Sequence, residues 1–459
     1  MSKTVDMTQG ALGKRIIAFA IPLALTGMLE QLFNAADTLV VGRFASKYAM
    51  AAVGSNSPII QLIINLFVGI ALGANVVIAR YTGQGDKEAV SRGIHTAVAV
   101  SFLFGLLATG VGEAVAIPML RAMDVPASVL PMSALYLRIY LAGMPVILLY
   151  NFESAIFRSQ GNSRTPLVCL LIGGILNVLL NLLFVIVFHM DAGGVALATV
   201  ISNLVSSLLL FILLIRSKGS MHLSIKKLQI DREILKKMMQ VGVPSGVQGM
   251  LFSLANIIIQ SAVNSLGADA MAASSAGLNI EIFVYFLVNG FAQAATTIIS
   301  QNYGAGKMDR CRKTFWVALG QDLLLTAVAS AVICLTAPTL IGFFNSDPAV
   351  ISFGATRLRW IVGCETTNVF LEILSGTMRG YGKSTTPALM SLIGVCGLRI
   401  AYVYTYFRVH HTFGTLMAIY PISWGTTALL LAVAYVLLLR KMRRNGSVQN
   451  VNRPENSAT

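Results

Sequence analysis

Apolar runs separated by short polar segments fill the chain, near residues 16–40, 55–79, 94–118, 133–156, 166–188 and 193–215, and again near 239–263, 275–300, 315–344, 356–378, 387–407 and 416–439. Each run is long enough to cross roughly 30 Å of hydrocarbon as a helix. Lipid offers a spanning backbone no hydrogen-bond partner, so runs of this kind satisfy themselves as helices. The pattern predicts an all-α polytopic membrane protein with twelve transmembrane helices. Composition agrees: of 459 residues, 56% are hydrophobic and 12% charged, and the mean hydropathy is +0.74. The opening MSKTVDMTQGALGKR is polar and too long for the basic region of a signal peptide, and the first apolar run has no small-residue cleavage site. It is therefore read as a retained helix.

The net charge of +15 would suit nucleic acid binding, but its placement points elsewhere. Twelve spans put both termini and every even-numbered loop on one side, and that side carries 26 of the 34 Lys and Arg. Arg43, Lys47, Arg121, Arg138, Arg357, Arg359 and Arg408 fall to the other side, and Arg399 alone stays inside a span. This is the positive-inside bias. It predicts a multi-pass protein of the cell (inner or plasma) membrane with both termini cytoplasmic, a lipid partner and no nucleic acid. The five cysteines form no CxxC pair, and the histidines have no metal-binding spacing, His410 and His411 reading as a solvated loop. No disulfide or zinc site is implied.

The chain repeats itself. RSQGNSRTP (Arg158 to Pro166) returns as RGYGKSTTP (Arg379 to Pro387), a shift of 221. The same shift carries Gly69, Gly83 and Gly85 onto Gly290, Gly304 and Gly306. A shift of 222 carries Pro22, Gly27, Met28 and Asn34 onto Pro244, Gly249, Met250 and Asn256. Six crossings return the chain to its starting side, so the halves are parallel six-helix lobes related by a pseudo-two-fold axis along the membrane normal, a plan found in secondary transporters. The expected division is an N-terminal lobe over 1–215, a cytoplasmic linker over 216–237 read as an amphipathic surface helix, a C-terminal lobe over 238–440 and a polar cytoplasmic tail over 441–459. TMRGYGKST lacks the first glycine of a phosphate-binding loop, since position 377 is Thr377, so nucleotide binding is rejected.

A carboxylate at the centre of a spanning helix costs roughly 2.5–3.5 kcal/mol on insertion scales, yet the first span carries Glu30 and Asp37. With Asn34 they stand at i, i+4 and i+7, on one face. The fifth span adds Asn177 and Asn181, again four apart. Such a cluster can exchange a proton or bind a sodium ion; two asparagines holding helices together is the plainer alternative. In the second half the position of Asp37 is taken by Ile259. Its own polar cluster is Glu281, Glu365 and Glu372 with Arg399, and the mid-span arginine calls for Glu365 or Glu372 as partner. Glu113, Glu153 and Asp322 are expected nearer span ends, reaching the interface.

On these residues the chain resembles the multidrug and toxic compound extrusion (MATE) family over nearly its whole length. The resemblance rests on the first helix from Pro22 to Asp37 with AADTLVVGR, on GANVVIARYTGQGD, on SQNYGAGKMD and on the paired RSQGNSRTP and RGYGKSTTP turns. It implies a secondary antiporter, not an enzyme, that exports amphipathic, often cationic, small molecules in exchange for H⁺ or Na⁺ through a cavity between the lobes. No cofactor beyond the coupling ion is implied, and a single chain suffices. Carried over, the family's first-helix acid falls on Asp37, the fifth-helix Asn-x-x-x-Asp reads Asn177 to Asn181 with its acid replaced, and Pro22 falls on a hinge proline. Sodium is then expected at Asp37, Asn177 and Asn181. The rival reading is a lipid-linked saccharide flippase with the same two-lobe plan, which would favour a basic cavity; the acids and the lone Arg399 in the spans tell against it.

Overall fold

The computed structural model describes residues 6–451, and the regular structure among the described residues is helical throughout. The first lobe comprises α1 (Leu12–Phe44), α2 (Lys47–Gln84), α3 (Lys87–Ala122), α4 (Leu130–Ala142), α5 (Met144–Ser159), α6 (Arg164–Leu182) and α7 (Asp191–Arg216). The second holds α8 (Arg232–Asn264), α9 (Ala268–Gly304), α10 (Met308–Gly342), α11 (Pro348–Ile361), α12 (Glu365–Gly380), α13 (Thr385–Ser391), α14 (Leu398–Tyr404), α15 (Tyr406–Val409) and α16 (Phe413–Val451). A π-helical turn, Leu183–Val187, ends α6, and another, Leu392–Gly397, joins α13 to α14.

These elements make twelve crossings. Ten are helical segments apolar enough to span alone, and α4 with α5 forms an eleventh, bent by 46°. The twelfth is α11 with α12, whose Arg357, Arg359, Glu365, Glu372 and Arg379 keep it from reading as uniformly apolar. The two broken spans are repeat partners: the break at Gly143 falls, 221 residues on, at Cys364. Hydrogen bonds repeat as well. Asn75 Nδ2 donates to the carbonyl of Ala155 (3.2 Å), and Thr296 Oγ1, 221 residues later, donates to that of Gly376 (2.9 Å).

The lobes meet where side chains vanish. Gly69 lies against the backbone of Gly246, and Gly73 against Met238 and Gly242, so any β-carbon there would strike α8. Gly83 abuts the carbonyl of Gln301, while its repeat partner Gly304 abuts that of Arg80, the repeat partner of Gln301. Such reciprocity is what a two-fold contact requires. Across the seam, Thr297 Oγ1 donates to Asn75 Oδ1 (2.9 Å) and Gln301 Nε2 to the carbonyl of Ser159 (2.7 Å). The N-terminal segment adds a strap: Met7 N–H donates to Gln301 Oε1 (3.1 Å), and Arg310 Nη2 donates to the carbonyls of Gln9 (2.8 Å) and Gly10 (2.9 Å).

All these contacts lie toward the ends of α2 and α9 that lead into the basic loops. Toward the opposite end, Glu30, Asn34, Ser57, Gln61 and Asn279 are exposed within spanning helices. Lipid could not solvate them, so they face a water-filled space between the lobes. That cavity is closed at the basic-loop end and open at the other.

One expectation is corrected. The linker is not an amphipathic helix: it holds two single 3-10 turns, Gly219–Met221 and Ile225–Lys227. Its backbone is tied to α3 instead, Ser224 N–H donating to His95 Nε2 (3.1 Å) and Asp231 N–H to Thr96 Oγ1 (3.0 Å). Asp231 then caps α8 by accepting from the N–H groups of Glu233 and Ile234, so REILKK becomes the first turns of the seventh span. The last helix continues into the polar tail up to Val451, since arginine and lysine are good helix formers; residues 452–459, like 1–5, lie outside the described residues.

Replacing Gly73 by Val drives a side chain into the Met238 carbonyl. Spin labels on the exposed positions 87 and 313 are expected to report longer lobe separations in Gly73→Val than in the parent, while unchanged distances would show that the seam tolerates the bulk.

Candidate functional site

The outer part of α1 packs on its own lobe, with Phe33 lying on the bare backbone of Gly174 in α6. This brings Asp37, which is buried, against α6 and α7. Its Oδ1 accepts from Asn181 Nδ2, and its Oδ2 from Thr199 Oγ1 (3.3 Å). Asn181 Nδ2 also donates to Asn177 Oδ1 (3.2 Å), and Asn177 Nδ2 to Thr199 Oγ1 (3.4 Å). Asn181 Oδ1 is buried with no partner. The π-helical turn begins two residues after Asn181, a feature frequent at functional sites.

The expected trio of Asp37, Asn177 and Asn181 is therefore assembled, and the structure adds Thr199. Nothing in the local sequence marked that threonine, because its role arises from the approach of α7 to α1. Glu30 and Asn34 are not in the cluster: both are exposed on the cavity side of α1, while Asp37 turns inward. One carboxylate, two amide oxygens and a hydroxyl form an all-oxygen set of the kind hard cations take. The unpartnered Asn181 oxygen fits a bound cation, and Asp37 can alternatively carry a proton. α1 runs unbroken through Pro22, whose carbonyl accepts from Thr26 Oγ1 (2.8 Å).

The second lobe is organised differently from the expectation. Arg357 is not in an outer loop; it is buried on α11 and grips Glu281 of α9 with two hydrogen bonds, Nη2 to Oε1 (2.7 Å) and Nε to Oε2 (3.1 Å). Arg399, predicted to seek Glu365 or Glu372, instead donates to Asn256 Oδ1 (3.1 Å) and Ser423 Oγ (3.1 Å). Its guanidinium also lies 4.4 Å from the ring centre of Tyr420. Neutral oxygens and a π-face satisfy it, so it needs no carboxylate. Glu365 accepts from Asn368 (2.7 Å), and Glu372 is buried on the same helix. The shift of 222 places Arg399 where the first lobe has Asn177, and Ile259 where it has Asp37. The second lobe thus has an apolar residue in place of the acid and a base in place of the amide.

Two more acids are corrected. Glu153 and Asp322 do not reach the interface but are fully buried. Glu153 Oε2 accepts from Ser207 Oγ (2.8 Å), and Asp322 Oδ1 from Thr326 Oγ1 (3.1 Å). Glu113 pairs with Arg138 at 3.1 Å in a half-exposed position.

The MatE family model matches residues 22–183 and 244–405, one segment in each lobe, offset by the repeat shift. The chain belongs to the MATE family. It is 26% identical over 440 residues to the probable multidrug resistance protein YoeA of Bacillus subtilis, covering 94% of this chain and 95% of that protein. It is 24% identical over 399 residues to the probable multidrug resistance protein NorM of Thermotoga maritima, with 84% of each covered. A solved structure described as the outward-facing conformation of a multidrug resistance MATE family transporter superposes with a TM-score of 0.89 at 22% identity, covering 97% of this chain and 99% of that one. Family membership places this MATE protein among transporters rather than enzymes, with a twelve-helix, two-lobe fold and drug export as the family's business.

Breaking the Arg357–Glu281 pair leaves a buried charge alone. Arg357→Met is expected to cost about 3–5 kcal/mol and to lower the Tm of the purified protein clearly. The double variant Arg357→Met/Glu281→Gln should recover most of that loss. Equal Tm for single and double variants would contradict the pairing.

Proposed function

We propose that this MATE protein is a secondary antiporter that exports amphipathic compounds, cations among them, in exchange for a proton or a sodium ion. The observation that carries the reading is the Asp37–Asn181–Thr199–Asn177 cluster, with its unpartnered buried oxygen, buried in the first lobe behind the cavity face of α1. By the positive-inside bias the closed end faces the cytoplasm and both termini lie there. The open cavity then faces out, the state in which a compound leaves and an ion enters. Both lobes and the cavity belong to one chain, so a monomer is sufficient.

The cycle follows from charge. Ionised Asp37 favours a cationic compound in the cavity. An ion arriving from outside neutralises Asp37 and removes that attraction, and the compound departs. The seam of glycines then opens as the lobes rock, Pro22 allowing α1 to bend, and the ion leaves to the cytoplasm. Ion and compound must prefer different states or compete, because a ligand shifts an equilibrium only by its differential affinity.

Efflux of a fluorescent cation from cells or inverted vesicles, under a pH gradient or a sodium gradient imposed separately, tests this reading. Asp37→Asn is expected to abolish gradient-driven efflux at unchanged protein level, and the gradient that works in the parent names the ion. Undiminished efflux in the variant would move coupling to Glu281, Glu365 or Glu372.

A further inference from the structure

Residues 6–10 lead into α1 and the linker leads into α8, and each of these segments docks on the opposite lobe. The linker is tied to Arg92, His95 and Thr96 of α3 and sinks Met221 and Leu223 into the core of the first lobe. Residues 6–10 do the same on the second. Four consecutive carbonyls there accept from second-lobe side chains. That of Met7 accepts from Asn302 Nδ2 (3.2 Å) and Arg310 Nε (3.4 Å), and that of Thr8 from Lys307 Nζ (3.0 Å). Those of Gln9 and Gly10 accept from Arg310 Nη2 (2.8 and 2.9 Å). The Met7 side chain is buried in the second-lobe core. α3 begins at Lys87 and α10 at Met308, the repeat shift apart, so the linker on α3 and this strap on α10 are counterparts in a two-fold arrangement.

The strap does one thing that the linker does not: it reaches the seam. Met7 N–H donates to Gln301 Oε1 (3.1 Å), and the other end of the same amide, Nε2, donates to the Ser159 carbonyl of the first lobe (2.7 Å). An amide has one accepting end and one donating end. By occupying the oxygen, the strap turns the donor toward Ser159; reversed, Gln301 would set its oxygen against a carbonyl and make no hydrogen bond. Docking of the strap and closure of the seam therefore share one side chain. The chain beyond is held as well. Thr8 turns back on Asp6 through its N–H (2.8 Å) and Oγ1 (2.7 Å), and Gly10 takes a φ of 72°, a conformation that glycine adopts without strain. Gln321 Nε2 of α10 then donates to the carbonyl of Gly13 (3.1 Å) in the first turn of α1.

We propose that residues 6–10 are a latch on the basic-loop side of the molecule. Docked on α9 and α10, they set Gln301 for the first lobe and stabilise the closed seam. Undocked, they leave the seam to its remaining contacts, and the lobes part more readily at that end. Arg310 is the main clamp, because its bonds to the strap carbonyls are charge-assisted. The latch acts on the equilibrium between lobe positions, whichever ion or compound is carried.

Met7→Asp puts a charge into the second-lobe core, and Arg310→Gln removes the clamp. Ser159→Cys, with the five native cysteines replaced, keeps the carbonyl that Gln301 holds and places a buried thiol at the seam. A membrane-impermeant maleimide offered from the basic-loop face should label it slowly behind the intact strap. Labelling is expected to be roughly tenfold or more faster in Met7→Asp and in Arg310→Gln, the ratio that losing one charge-assisted hydrogen bond produces in a two-state equilibrium. Arg310→Lys, which keeps the charge, should fall between. Spin labels at positions 87 and 313 of the full-length protein in nanodiscs should show the matching gain of longer lobe separations. Unchanged labelling and distances in both variants, or a lower Tm with neither change, would overturn the proposal. Met7→Ala with Arg310→Gln gives the same comparison if Met7→Asp does not fold. None of these readouts uses a coupling ion or an exported compound, so failure of the export reading shows separately, in the efflux assay.

Discussion

Hydrocarbon supplies no hydrogen-bond partners, and that constraint orders this molecule. A polar group within a span must find its partner on another helix or face water held between the lobes. Asp37 takes the first course through Asn181 and Thr199; Arg357 takes it through Glu281, and Arg399 through Asn256, Ser423 and Tyr420. Glu30 and Asn34 take the second. Each buried partnership also fixes a helix neighbour, so the polar residues that cost most to insert are those that specify how the helices pack.

The same constraint gives the glycines their meaning. Lobe association gains little from burying apolar side chains that lipid would solvate equally well, and depends on close backbone approach and polar contacts. Gly69, Gly73, Gly83, Gly246 and Gly304 supply the approach, and Asn75, Thr297 and Gln301 supply the contacts. The seam's two-fold character follows from the duplicated sequence, and divergence within that symmetry, Ile259 in place of Asp37 and Arg399 in place of Asn177, gives the lobes different chemistry.

Much of this was legible in the chain. Apolar run lengths marked the spans, the shift of 221–222 marked the lobes, and Glu30 to Asp37 marked the wall of the cavity. Periodicity reports which face of a helix a residue occupies, but not what lies opposite. Thr199 was therefore missed, Arg357 was placed in a loop, and Glu153 and Asp322 were sent to the interface. The linker misled through its charge pattern, since Asp231 starts the helix that the pattern assigned to a separate element.

The central claim is that the cavity beside Asp37 opens on the side opposite the basic loops. With the five native cysteines replaced, Asn34→Cys places one thiol on the cavity wall, and a membrane-impermeant maleimide can be offered from either face of oriented vesicles. Labelling from the face opposite the basic loops, and not from the basic-loop face, is the predicted result. Labelling only from the basic-loop face would contradict the account.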